Sequence, residues 1–140
     1  MKRIFELMDS PEKFNVKIQT KNEFNAEFYI DDLTYVFLTE YYNESWEMQF
    51  GIESTGPVAD YAMDITGSGN EFKVFATVAS ILSYFIKEYN PKVFVFSAQE
   101  KSRIKLYNIF SEKISKAFGY RYTANFDDSG MIYKFSKEDK

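Results

Sequence analysis

From residue 14 to 54 the apolar side chains fall on alternate positions. Phe14, Val16 and Ile18 are separated by polar residues, and Phe24, Ala26, Phe28 and Ile30 repeat the pattern. Asp31-Asp32 marks a turn. Residues 33–42 are rich in aromatic and β-branched side chains, which suit a pleated, half-buried surface. Asn43-Glu44 interrupts them, and Trp46, Met48, Phe50 and Ile52 resume the period of two. Successive side chains of a strand point to opposite faces, so this stretch predicts an antiparallel meander with one apolar face. Gly56-Pro57 is a further turn signal.

The rhythm changes in the second half. Residues 58–66 predict a strand that ends in Gly67-Ser68-Gly69-Asn70. Ser68 and Glu71 have capping-box spacing, which marks a helix start. Phe72, Phe75, Ala79, Leu82, Ile86 and Tyr89 then recur at steps of three and four, one stripe of a helix that Asn90-Pro91 stops. Residues 93–97 form a short apolar run, a buried parallel strand whose expected partner is residues 58–66. A second helix is predicted over residues 100–118, with Ile104, Tyr107, Ile114 and Phe118 on one face and Gly119 as its stop. Residues 120–126 and 131–135 flank Asp127-Asp128-Ser129-Gly130, a hairpin signal. A short helix over residues 2–9 would close at Ser10-Pro11. The expected architecture is one α+β domain over residues 1–140, with a mixed, mostly antiparallel sheet, a strand–helix–strand–helix unit and a terminal hairpin.

Composition narrows the chemistry. The chain has no Cys and no His. That removes a thiol nucleophile, a thiolate metal site, an imidazole base and an in-chain disulfide. Acid–base work would fall to Asp, Glu, Lys, Tyr, a terminus or water. The net charge is −4, without a long basic block, so nonspecific nucleic-acid binding is not expected. No apolar run nears the roughly 20 residues that span a bilayer. The expectation is a soluble, cytoplasmic protein with no membrane partner.

The order of antiparallel strands, a strand ending in Gly-x-Gly, helix, strand, helix and hairpin resembles the GCN5-related N-acetyltransferase (GNAT) superfamily. The resemblance in element order covers most of the chain, and the motif match covers a few residues. It implies that Gly67, Ser68, Gly69 and Asn70 bind the pyrophosphate of acetyl-CoA or another acyl-CoA. The acyl chain would lie where the fourth and fifth strands splay apart. It also implies that Tyr107 corresponds to the family's general-acid tyrosine, with Leu106-Tyr107 and Gly119-Tyr120 echoing its Leu-Tyr and Gly-Phe signature. Asp64 stands where the family carries Gln or Arg, and a carboxylate facing that site would repel pyrophosphate. Glu100 and Arg103 stand at the family's Asn and Ala. Residues 66–75 and 102–107 also resemble small uncharacterised proteins of tailed bacteriophages, which implies a viral accessory role in a host cytoplasm.

Two functions follow as expectations. One is a GNAT-like protein, either a degenerate non-catalytic fold or an acyl-CoA-dependent N-acyltransferase. The other is a non-enzymatic interaction module that binds a host protein or forms a homodimer. Each candidate residue also has a plainer role. Gly67 and Gly69 suit a tight turn, and Tyr107 lies on an apolar stripe as a core tyrosine would. Lys73 is placed to assist an anion or to sit on a solvated helix face. Glu47 and Glu53 alternate with apolar residues, as a base in a groove or as ordinary exposed strand positions. Asp60 and Asp64 share strand parity, but their spacing specifies no coordination geometry, and no metal is expected. Lys101, Arg103, Lys105 and Arg121 are ordinary solvated cations or a small basic surface. Tyr41, Tyr42 and Trp46 surround a turn, as contact residues if exposed and core if buried.

Overall fold

The computed structural model describes residues 11–53, 71–98, 104–128 and 130–138. The alternation over residues 14–54 becomes four strands: β1 (Phe14–Gln19), β2 (Glu23–Ile30), β3 (Leu33–Tyr42) and β4 (Ser45–Ile52). They pair in sequence order, each antiparallel to the next. Helix α1 (Glu71–Tyr89), strand β5 (Val93–Ala98), helix α2 (Ile104–Phe118) and the hairpin β6 (Tyr120–Asp127) and β7 (Gly130–Lys137) follow. The described strands form a seven-stranded sheet in the order β1-β2-β3-β4-β5-β7-β6. Among the described residues the fold is therefore α+β, with a mostly antiparallel sheet and two helices.

One pairing differs from the sequence expectation. The parallel neighbour of β5 is β4, through Trp46↔Phe94, Glu47↔Val95 and Met48↔Phe96. The expected partner, residues 58–66, lies outside the described residues, as do the expected helix over 2–9 and the turn at Gly56-Pro57. The opposite edge of β5 is taken by β7, antiparallel from Val93↔Ser136 to Ala98↔Met131. A parallel pair cannot be joined by a tight hairpin. The chain between β4 and β5 accordingly includes the 19 residues of α1.

Both helices pack on one face of the sheet. Phe24, Phe28, Phe37, Trp46, Met48, Phe50, Phe94, Phe96, Tyr133 and Phe135 are buried on that face. From α1, Phe85 meets Phe24 and Trp46 with ring centroids 5.5 and 5.0 Å apart, and Phe75 meets Phe50 at 5.9 Å. From α2, Phe110 meets Phe50 and Phe96 at 6.1 and 6.2 Å. Tilted and edge-on rings predominate at these contacts, as the ring quadrupole favours. Near the other edge, the Tyr89 hydroxyl donates to the Thr20 carbonyl at 2.6 Å and the Tyr84 hydroxyl to Gln19 at 2.8 Å, tying the β1–β2 end to α1.

The punctuating residues act as their chemistry requires. Asn90 takes φ 46° and Gly119 φ 74°, the left-handed conformation that ends a helix, and their N–H groups donate to Ile86 and Ser115. The β3–β4 turn is more strained. Both Asn43 (φ 54°) and Glu44 (φ 66°) are left-handed, the pattern of a type I′ hairpin. Asn suits such a position, whereas Glu carries a Cβ penalty of about 1–2 kcal/mol. Glu44→Gly is expected to raise unfolding stability by about 0.5–1 kcal/mol after the entropic cost of glycine. Urea melts of the two proteins would show it, and an unchanged or lower midpoint would refute it.

Candidate functional site

Strands β4 and β5 part company. Their pairing runs only from Trp46↔Phe94 to Met48↔Phe96. Yet β4 stays paired with β3 as far as Tyr35↔Ile52, and β5 stays paired with β7 as far as Ala98↔Met131. Among the described residues, the end of β4 and the last two residues of β5 therefore have no strand between them. Both helices begin above this fork. Phe75 near the start of α1 and Tyr107 near the start of α2 reach Phe50, whereas the far end of α1 lies over Trp46 and the residue just past α2, Tyr120, over Phe94. Helix starts carry free N–H groups and the positive end of the dipole. The first turn of α2 holds no acidic residue to oppose an anion.

On the helix side the fork has an aromatic roof. Tyr107 is fully buried and touches a ring from each diverging strand, Phe50 of β4 at 6.0 Å and Phe96 of β5 at 6.4 Å. It also meets Phe75 at 5.4 Å. The position of Tyr107 on the apolar stripe thus leads to the core. Gly67, Ser68, Gly69 and Asn70 lie outside the described residues, as do Asp60, Asp64, Lys101 and Arg103. Lys73 forms an ion pair with Glu12 at 3.2 Å. Glu47 and Glu53 are exposed, and Trp46 is core while Tyr41 and Tyr42 stay open to solvent.

The opposite face of the sheet carries charge that a linear reading misses. Neither described helix covers it. Register sets Glu23 opposite Glu40 and Glu40 opposite Glu47. The same row continues through Val95 and Lys134 to Thr123, and Arg121 lies beside Lys134 across from Ser136. Three carboxylates thus stand at one end of the face and two cations at the other. Like charges directly opposite repel, so the acidic row costs stability. The signal was available only by combining strand parity with the turns at Asp31-Asp32 and Asn43-Glu44, which fix which residue faces which. Among the described residues no group of three or more Asp or Glu could hold a metal ion, and no helix is long and apolar enough to cross a membrane.

Two buried phenols sit in the hairpin layer. The Tyr120 hydroxyl donates to the Pro91 carbonyl at 2.6 Å, and burial pushes its pKa up to about 12. The Tyr133 hydroxyl donates to Asn108 Oδ1 at 2.7 Å, and burial, with a smaller contribution from Tyr122, pushes its pKa up to about 12 as well.

The fold and its fork define an α+β protein with a divergent parallel strand pair beneath two helix starts. The chain belongs to a family of unknown function, DUF6934, whose pattern matches residues 19–140. No protein with a curated description matches it.

Proposed function

We propose that this chain is a GNAT-like protein that binds an acyl-CoA at the fork between β4 and β5. The observation that carries the reading is the early end of the β4–β5 pairing while both strands continue in their other ladders. In the superfamily that the element order resembles, the acyl chain lies where the fourth and fifth strands splay. The rings at the fork, Phe50, Phe96 and Tyr107, are buried against one another, so an acyl chain bound there would have to part them. Beyond Met48 and Phe96 no pairing joins the two strands, and Phe50, Phe96 and Tyr107 form the apolar layer beside that point. Bound there, a thioester would supply an activated acyl carbon for attack by an amine. Free N–H groups at the start of α1 would hold anionic oxygens, with Gly67, Ser68, Gly69 and Asn70 as the proposed pyrophosphate turn. Tyr107 is the proposed proton donor, held between the two strands by its contacts with Phe50 and Phe96.

The test is calorimetric titration with acetyl-CoA, followed by acyl transfer to a panel of primary amines. Saturable binding is expected, with Tyr107→Phe retaining the fold and the affinity while losing about 10–100-fold in turnover, the scale of a general acid. Absence of saturable binding at millimolar acetyl-CoA would end this reading.

A further inference from the structure

Among the described residues the sheet ends in two strand edges, and they are built differently. β1 is six residues long, breaks register between Val16 and Ile18, and carries Lys17 paired with Glu27 at 3.5 Å. A short strand, a bulge and a charge are the devices that keep an edge from pairing with another chain. β6 has none of the first two. It pairs with β7 without a break from Tyr120↔Lys137 to Asp127↔Gly130, and contains no proline. Ala124 is exposed, Phe126 is 60% exposed, and Ile109 of the overlying α2 is 45% exposed.

The edge also has a phase. Asp127 and Gly130 close the hairpin across two residues, and such a closing pair is mutually hydrogen-bonded. Bonded and non-bonded pairs alternate in an antiparallel ladder. Tyr122, Ala124 and Phe126 therefore direct their main-chain N–H and C=O groups away from β7, toward the edge that no described strand occupies.

We infer that β6 pairs with β6 of a second copy of this chain, antiparallel, about a two-fold axis through Ala124. That register sets Ala124 against its own copy, small residue on small residue. Tyr122 then faces Phe126 of the second copy, twice by symmetry, and Thr123 faces Asn125. Arg121 comes opposite position 127, an aspartate in the sequence. Each opposed pair lies on one face of the extended sheet, aromatic on the helix side and polar on the other. Aromatic and opposite-charge cross-strand pairs each stabilise a sheet. Slipping two residues one way would need the Tyr120 carbonyl, which already accepts from the Ser115 hydroxyl. Slipping the other way leaves Arg121 unopposed. The inference is independent of acyl-CoA binding, because β7 and β5 separate this edge from the fork.

Sedimentation velocity over a concentration series tests it. A reversible dimer is expected. Ala124→Pro removes an N–H directed away from β7, a change that edge strands tolerate, and is expected to weaken the dimer by about tenfold or more with the circular dichroism spectrum retained. Phe126→Lys serves as the second variant, with the same expectation and no demand on the backbone. Arg121→Asp should also weaken association, and adding Asp127→Arg should restore it. A strict monomer at millimolar chain overturns the inference. So does a dimer indifferent to both Ala124→Pro and Phe126→Lys, and failure of the charge swap to restore association overturns the two-fold register.

Discussion

Phe50→Ala is expected to cost about 3–5 kcal/mol of unfolding stability, the scale of a large aromatic truncated in a close-packed core. Phe50 is 2% exposed and is the ring on which separate parts of the fold converge. It meets Phe75 of α1, Tyr107 and Phe110 of α2, and Phe96 of β5, with centroids 5.9 to 6.1 Å apart. Its truncation would strip a partner from both helices at once, and they can close the gap only by moving toward a sheet that is itself hydrogen-bonded in place. Domains are stable by about 5–15 kcal/mol, so this single change would consume a large part of the total. Urea unfolding followed by circular dichroism would measure it. Phe50→Leu, which keeps most of the volume, is expected to lose much less. A loss below about 1 kcal/mol for Phe50→Ala would mean that the site collapses freely and that Phe50 does not join the layers.

The second large effect is an alkaline transition. The folded chain holds the Tyr120 and Tyr133 protons until about pH 12, whereas an unfolded phenol releases its proton near pH 10. Between these values the unfolded state binds fewer protons, so stability falls as pH rises. The contribution of each phenol is fully present below the unfolded pKa and is lost as pH climbs through the folded one. Melting temperature should therefore fall from about pH 10 upward. Phenolate absorbance should show part of the 11 tyrosines ionising early and the rest only as helix signal disappears. Tyr120→Phe should flatten the alkaline limb, while lowering stability at neutral pH by about 1–3 kcal/mol because the Pro91 carbonyl loses its donor. If every tyrosine ionised in one step near pH 10 with the helices intact, burial and the hydrogen bonds to Pro91 and Asn108 would not be holding those protons.

Local periodicity was enough for much of this fold. Phe24 to Ile30 and Trp46 to Ile52 alternate cleanly because one sheet face meets the helices and neither described helix covers the other. Asn90 and Gly119 ended the helices for reasons internal to each residue. Partner choice was a different matter. Residues 58–66 and 45–52 both read as strands, and no local pattern says which will lie beside 93–98, because parallel pairing is a long-range event. The family resemblance implies a splay between residues 58–66 and 93–97, whereas the pairing that ends early here is that of β4 with β5. Tyr107 was legible as part of an apolar stripe, but its contacts with rings from two strands depend on how those strands diverge. The row Glu23, Glu40, Glu47 is legible only once the two turns between these residues fix the register of β2, β3 and β4.

The meander has a consequence for biogenesis. β1 to β4 are joined by tight turns and precede both described helices, so they can pair while translation is still under way. The helices that shield their aromatic side are synthesised later. For that interval Phe24, Phe28, Phe37 and Phe50 form a sticky nascent surface, the kind that promotes aggregation before the helices arrive.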